Sequence, residues 1–370
     1  MTNTIARLKE LQALPLEIKI AITKQRIREW IGYYGVDGVY VSFSGGKDST
    51  VLLDIVRQEY PHVQAVFADT GLEYPEIRDF VKTFDNVVFV KPKMNFRQVI
   101  EKYGYPFISK EVSNCVYQSV RWLEKHDVER PYKDNAIKEK NNGMPHRLAQ
   151  LLGIYEINWG KKKKTHEFDE NELSAPYFQK KKWAFLLDAP FVIGSNCCDV
   201  MKKRPCKEYE KRTGRVGITA QMACESGLRE RNWLKNGCNA FTQKRPMSNP
   251  MSFWTEQDVL HYIKKYNLRI AEVYGDIVVK DANGISGQAC IAELADDENV
   301  NLMTTGCHRT GCIFCGYGCH NEKGKGRFEL LKTTHPKIYE YIMKPVARGG
   351  LGYKEIIDWL NENGNLHIKY

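Results

Sequence analysis

Gly38-Val-Tyr-Val-Ser-Phe43 runs directly into Ser44-Gly45-Gly46-Lys47-Asp48-Ser49-Thr50, and Val51 to Tyr60 follows before Pro61. The first stretch is short, apolar and β-branched, which predicts a strand; the last has the length and composition of a helix that Pro61 stops. The loop between them carries two glycines where a backbone must approach an anion closely, with successive amides and a helix N-terminus facing the same point. A second strand is expected at Val63 to Ala68, ending at Asp69-Thr70-Gly71, with a helix from Pro75, a residue suited to a first helical turn. Val87 to Val90 reads as a third strand. Strand, loop and helix repeated at this interval predict an α/β fold: a parallel twisted sheet with helices on both faces and its ligand site at the carboxyl ends of the strands.

Outward from this core the pattern changes. Residues 4–33 carry apolar positions at helical spacing, so amphipathic helices open the chain. From about Lys102 to Lys182 the strand rhythm lapses into a polar, basic stretch with Lys161 to Lys164 beside Trp159, and Lys180 to Lys182 between Tyr177-Phe178 and Trp183; a mainly helical insertion is expected. The rhythm returns with Trp183 to Ile193, Arg215 to Met222 and Thr255 to Tyr266, where Thr255 and Asp258 have capping-box spacing. A Cys- and Gly-rich module follows from about Gly284, closing with helices at Pro336 to Met343 and Tyr353 to Glu362. The segments expected are therefore 1–101 and 183–283 for the nucleotide domain, 102–182 for the insertion and 284–370 for the Cys-rich module.

The 370 residues are 42% hydrophobic and 27% charged, ordinary for a globular chain and against wholesale disorder. No run approaches the ~18 apolar residues of a membrane span, and charges interrupt the first thirty residues where an export signal needs an apolar block, so a cytoplasmic protein without membrane association is expected. The 55 Lys and Arg against 45 Asp and Glu leave +10, compatible with a polyanionic partner and equally with a basic surface. The 11 cysteines are clustered: none before Cys115, a doublet at Cys197 and Cys198, and four between Cys307 and Cys319. In a reducing compartment such clustering points to a metal centre or thiol chemistry.

The loop is not the Gly-x4-Gly-Lys-Ser/Thr pattern of P-loop kinases and GTPases. Ser44 to Ser49 resembles the pyrophosphate loop of the N-type ATP pyrophosphatases (the adenine nucleotide alpha hydrolase-like superfamily), which split ATP between its α and β phosphates. Phe67-Ala68-Asp69-Thr70-Gly71-Leu72-Glu73-Tyr74-Pro75-Glu76 is similar to the second-strand motif of the phosphoadenosine phosphosulfate (PAPS) reductase family, and Gly217 to Arg229 to its later Glu-Ser-x-x-Arg segment, although Thr219 and Gln221 stand where many relatives have Arg and a small or acidic residue. The resemblance implies nucleotide contacts from Ser44, Gly45, Gly46, Lys47, Asp48, Ser49, Asp69, Thr70 and Gly71. It implies ATP with Mg2+ as cofactor, and catalytic roles for Lys47, Asp48, Glu225 and Arg229. In-line transfer at a phosphate needs this kind of cationic and amide stabilisation. Glu225 and Arg229, four apart, would share a helical face; an exposed ion pair is the plain alternative.

Cys197-Cys198 with Lys202 resembles the Cys-Cys-x3-Lys segment of iron–sulfur members of the family, which pairs with a distant Cys-x-x-Cys, here Cys312-Ile-Phe-Cys315. These four thiolates would hold a 4Fe–4S cluster. A zinc site built from Cys307, Cys312, Cys315 and Cys319, or from three of them with His320, stays open, as do Cys206 and Cys319 as sulfur-carrying thiols. Cys115, Cys224, Cys238 and Cys290 are expected to be core or idle thiols.

Sulfonucleotide reductases of the family usually lack the loop lysine and attack with a late, mobile cysteine; here the loop is intact and no Cys follows Cys319. The resemblance therefore implies an ATP-dependent sulfurtransferase, with a nucleic acid as candidate acceptor and a sulfur donor such as a cysteine desulfurase. Reduction of adenylyl sulfate or its 3′-phosphate to sulfite, and a non-catalytic nucleotide- or nucleic-acid-binding role, are the alternatives. The interleaved lysines and aromatics of the insertion suit phosphate tracking and base stacking, or simply a solvated surface.

Overall fold

The computed structural model describes residues 3–126, 145–152, 156–159, 162–165, 178–280 and 300–370. They form two compact units, Met1–Lys93 with Met201–Ile313, and Met94–Val200 with Phe314–Tyr370. This division differs from the four consecutive segments read from the sequence: the Cys-rich stretch is shared out, Cys307 and Cys312 to the first unit and Cys315 and Cys319 to the second. Part of the 102–182 insertion, together with Cys290, lies outside the described residues.

The first unit opens with helices α1 (Ile5–Gln12) and α2 (Leu16–Tyr34), then alternates β1 (Val39–Ser42), α3 (Lys47–Glu59), β2 (Ala65–Ala68), α4 (Pro75–Lys82) and β3 (Val87–Val90). After the second unit's excursion come α5 (Arg204–Thr213), β4 (Val216–Ile218), α6 (Gly227–Asn236), β5 (Asn239–Ala240), β6 (Met247–Ser248), α7 (Glu256–Lys265) and a strand pair, β7 (Ile277–Val279) with β8 (Leu302–Thr304). Six strands make one sheet in the order β3-β2-β1-β4-β6-β5, parallel throughout except for the β5–β6 pair. Val41 faces Ala65 on one side and Ile218 on the other. The chain leaves β1 toward β2, while β4 lies on the opposite flank, so the sheet changes direction at β1, where α/β proteins place a ligand.

The core explains why the apolar runs behave as they do. Val39, Val41, Phe43, Val51, Leu52, Ile55 and Phe67 are at most 1% exposed, so β1, β2 and α3 are buried on the faces that their periodicity marks. Trp30 on α2 and Trp254 ahead of α7 are fully buried in the same cluster. α7 starts where expected: Thr255 Oγ1 accepts from Asp258 N, and Asp258 Oδ2 accepts from Thr255 N at 2.7 Å.

In the second unit, helices Phe96–Tyr103, Lys110–Lys125, Arg327–Thr334, Pro336–Met343 and Tyr353–Gly364 surround a short parallel pair, Phe107–Ile108 with Gly316–Tyr317. Phe107, Phe328 and Tyr353 pack ring against ring at its centre. One expectation is corrected here. The Trp183 to Ile193 stretch, read as the return of the α/β rhythm, adds no strand to the sheet: Phe178–Asp188 is a tight helical segment, and Trp183, Leu186 and Leu187 are buried at a spacing that a helix puts on one face. Within the insertion, expected to be mainly helical, Glu156–Trp159 and Lys162–Thr165 pair as an antiparallel hairpin. Among the described residues no helix is long and apolar enough to cross a membrane.

Candidate active site

The loop after β1 turns through Gly45 at φ +70°, where a Cβ would meet Val81 and Ile77 side chains at 2.7 and 2.8 Å; only glycine fits. Gly46 caps α3 with extended backbone. The loop is tied internally: Ser44 N donates to Ser49 Oγ (3.1 Å), and the hydroxyls of Ser49 and Thr50 both donate to Gly46 O (2.9 and 3.0 Å). These bonds hold the first turn of α3 open toward the strand ends, the arrangement that receives an anion.

Lys47 begins the helix and is 3% exposed. Its Nζ donates to His308 O at 2.7 Å and pairs with Glu256 Oε1 at 2.9 Å, while its backbone N donates to the Tyr274 hydroxyl at 3.1 Å. The same hydroxyl is 2.6 Å from Thr310 Oγ1. Asp48 is the odd member: burial holds its carboxyl above the usual carboxylate range in spite of Lys47 beside it, and one of its oxygens has no hydrogen-bond partner.

At the end of β2, Asp69 is buried and pairs with Arg78 at 3.0 Å, with Lys91 at 4.0 Å. Thr70 donates from its hydroxyl to Glu73 at 2.8 Å and from its backbone N at 3.2 Å; Gly71 takes φ +74°. Glu73 also pairs with Lys202 at 3.6 Å. Ser44, Glu73, Lys202, Cys206 and Thr310 line a cavity of about 120 Å3 at the carboxyl ends of β1 and β2. Burial pushes the Cys206 thiol above its ordinary value, and Glu210 adds to the shift, against the opposing charges of Arg245 and Lys202.

Glu225 lies on the turn Ala223–Glu225 ahead of α6 rather than on the helix itself, yet it pairs with Arg229 as its spacing implied. Its other neighbours are Met222 N at 3.0 Å and Arg309 at 3.9 Å. Arg229 and Arg309 both act on the Asp48 carboxyl, which places this pair near the loop.

The structure thus brings Ser44 to Ser49, Asp69 to Gly71, Glu225, Arg229 and Cys206 into one unit. It adds Glu73, Lys202, Glu256, Tyr274, His308 and Thr310, to which the sequence reading gave no role at the nucleotide site. Glu73 and Lys202 stood inside the quoted motifs and were legible there. The other four are distant in sequence and carry no local signature.

The cysteines divide. In the second unit Cys197, Cys198 and Cys315 all act electrostatically on Tyr317, whose hydroxyl burial and these thiols push well above its ordinary range; that hydroxyl donates to Gly194 O at 3.0 Å. Cys319 is pushed up to about 12 by burial and donates to Gly316 O at 2.9 Å. His320 packs edge-on against Trp183 at 5.4 Å. Three thiols around one tyrosine are a donor set of the chemistry that an iron–sulfur cluster takes. Among the described residues, however, no three His, Cys, Asp or Glu side chains stand close enough to share one ion. No reaction step is therefore routed through a metal.

Comparison with known proteins agrees with the geometry. Residues 38–133 match the phosphoadenosine phosphosulfate reductase domain. An uncharacterized protein of Methanocaldococcus jannaschii is 41% identical over 73 residues, 18% of each chain. An adenosine 5′-phosphosulfate reductase of Bacillus subtilis is 27% identical over 92 residues, 23% of this chain and 39% of that one. One of Staphylococcus epidermidis is 31% identical over 90 residues, 23% of this chain and 37% of its own. The aligned part is less than half of each curated relative. A crystal structure of PAPS reductase from Candida auris, a phosphate complex, superposes with a TM-score of 0.35 at 13% identity, covering 74% of this chain and 91% of that one; at that score no structural detail carries across. The domain match spans β1, the Ser44–Thr50 loop and β2, so this part of the chain is similar to the phosphoadenosine phosphosulfate reductase domain.

Proposed function

We propose that this chain is an enzyme of sulfur chemistry on adenine nucleotides, with the 5′ phosphate held by the Ser44–Thr50 loop and Lys47. The observation that carries this is the loop itself: amides, hydroxyls and a buried lysine converge at the carboxyl end of β1, beside the cavity of about 120 Å3. Reductive cleavage of adenylyl sulfate, with or without a 3′-phosphate, is the reading that the names of the aligned relatives support, in preference to the sulfurtransferase expected from the intact loop.

Cys206 is the thiol that lines the cavity, whereas Cys319 belongs to the other unit and is bonded to Gly316 O. In this reading the Cys206 thiolate attacks the sulfate sulfur, the S–O bond to the nucleotide breaks, and AMP leaves with the electron pair. The product is S-sulfocysteine, and an external dithiol then displaces sulfite and is itself oxidised to the disulfide. Lys47 and the loop amides stabilise charge on the leaving phosphate. Lys202, beside the thiol, favours its ionised form.

Adenylyl sulfate and a dithiol, without ATP, should yield sulfite and an S-sulfo adduct on Cys206, and Cys206→Ser should abolish both while still binding AMP. Sulfite release that survives Cys206→Ser removes Cys206 from the reaction. The second reading, ATP-dependent sulfur transfer, is favoured by the intact Lys47. It predicts pyrophosphate release from ATP stimulated by an acceptor, with no sulfite from adenylyl sulfate; the cofactor would then be ATP with Mg2+, and the sulfur would come from a separate donor protein. Under either reading Cys197, Cys198 and Cys315 remain the proposed cluster thiolates, to which the sequence adds Cys312.

A further inference from the structure

The serines of the Ser44–Thr50 loop are spent on the loop itself. Ser49 donates its hydroxyl proton to Gly46 O and accepts from Ser44 N, and the hydroxyls of Ser44 and Ser49 lie 3.0 Å apart. With the Ser49 proton engaged, the proton between the two serines comes from Ser44, whose oxygen accepts in turn from Gly46 N at 3.3 Å. A hydroxyl donor for a bound anion must therefore come from outside the loop.

Two hydroxyls from elsewhere in the first unit reach it. Tyr274 ends the turn Glu272–Tyr274 and is 2% exposed, while Thr310 lies beyond β8 and lines the cavity of about 120 Å3. A Cβ built on Gly46 would stand 3.3 Å from the Tyr274 hydroxyl and 3.5 Å from Thr310 Oγ1, so both oxygens sit directly over the loop. The segment that carries Thr310 is pinned on either side of it. Gly306 N donates to Tyr274 O at 2.8 Å, Cys307 N to Val273 O at 2.9 Å, and Ile313 N to Leu72 O at 2.8 Å.

The Tyr274 oxygen accepts from Lys47 N at 3.1 Å and shares one more bond, of 2.6 Å, with Thr310 Oγ1. A pair of hydroxyls owns two protons, and the bond between them uses one. The other has no acceptor among the described residues. Tyr274 is enclosed, whereas Thr310 is half-buried at the cavity. The order that puts the spare proton within reach of a ligand is Lys47 N–H to Tyr274, Tyr274 O–H to Thr310, and Thr310 O–H into the cavity. Bonds in such a chain polarise one another toward the last donor. Burial pushes the Tyr274 phenol up to about 12, so it keeps its proton at neutral pH and serves as a donor.

We propose that Thr310 is a further substrate-contacting residue, which donates its hydroxyl proton to an oxygen of the nucleotide's 5′ phosphate, and that Tyr274 is its positioning residue, relaying the Lys47 amide. The proposal rests on the reading of the Ser44–Thr50 loop as a phosphate site, and it stands under either reaction proposed there.

The test is calorimetric titration of AMP into the full chain, with adenosine as a competitor, for wild type, Thr310→Val, Thr310→Ser and Tyr274→Phe. Valine keeps the shape of threonine without its hydroxyl, and serine keeps the hydroxyl. Thr310→Val should bind AMP at least about tenfold more weakly, the size of a lost hydrogen bond to a charged group, and adenosine as well as wild type does. Thr310→Ser should bind AMP nearly as wild type does. Tyr274→Phe should also weaken AMP, and Thr310→Val should cost less on top of it than on wild type, because the two hydroxyls act through one chain. If Tyr274→Phe does not fold, the comparison of valine with serine at position 310 decides. Three results overturn the proposal: full AMP affinity in Thr310→Val, Thr310→Ser as weak as Thr310→Val, or a parallel loss of adenosine, which marks a merely structural role. A wild type that binds AMP no better than adenosine overturns the phosphate reading of the loop and the role of Thr310 with it. A preference for AMP that depends on Lys47 but not on Thr310 overturns the role of Thr310 alone.

Discussion

Lys47 and Asp48 are adjacent, the first buried and the second half-buried, and in opposite electrostatic circumstances. Lys47 has two oxygen partners, Glu256 and His308 O, standing where the oxygens of a phosphate would serve as well. Asp48 has an oxygen without a partner, and burial raises its carboxyl above the ordinary range. A carboxyl whose folded value is raised leaves the folded state unpenalised while it is protonated. Stability is lost as pH climbs through the carboxylate range and the group ionises in its buried place. Asp48→Asn should therefore raise the melting temperature at neutral pH, and the difference from wild type should shrink as the pH is lowered toward acid; a difference that grows on acidification contradicts this account of Asp48. The same substitution should impair turnover, because strain of this kind is retained at sites that need it.

The elements show how local chemistry positions those residues. α3 starts at Lys47 because Gly46 is extended and the Ser49 and Thr50 hydroxyls bind its carbonyl, so the helix begins at the loop and its amides face the strand ends. α7 starts at Glu256 because Thr255 and Asp258 cap each other, and this start is what presents Glu256 to Lys47. Thr255→Ala should cost about 1 kcal/mol in urea denaturation, the usual value of an N-cap. It should also loosen Glu256 enough to alter nucleotide affinity, whereas a purely structural cap would leave affinity untouched.

These elements were also the legible ones. Val87 to Val90, the Pro75 helix start and the Thr255 cap follow from residues within a few positions of one another, and the structure places them as read. Trp183 to Ile193 misled, because an apolar run of that length has no period of its own; the burial of Trp183, Leu186 and Leu187 decides it, and burial is a tertiary property.

Across the molecule, the motif residues 44–50, 69–73 and 225–229 were readable because the phosphate-binding and ion-pair chemistry that they carry is local. Tyr274, His308 and Thr310 were not, since only the fold of the first unit brings them over Gly46 and Lys47. The cysteines illustrate the same limit. Cys197, Cys198 and Cys315 gather around Tyr317 within one unit, but Cys312, three residues before Cys315, belongs to the other, a division that no spacing rule contains. The domain match covers residues 38–133, so the remaining three quarters or so of the chain are read from their own geometry.

The central claim is that the Ser44–Thr50 loop holds the 5′ phosphate of an adenine nucleotide through Lys47, and calorimetric titration of adenylyl sulfate into wild type and Lys47→Ala tests it most directly. Loss of a charge-assisted hydrogen bond, about 1.5–3 kcal/mol, predicts binding at least about tenfold weaker in the variant; equal affinity in the two proteins would contradict the claim.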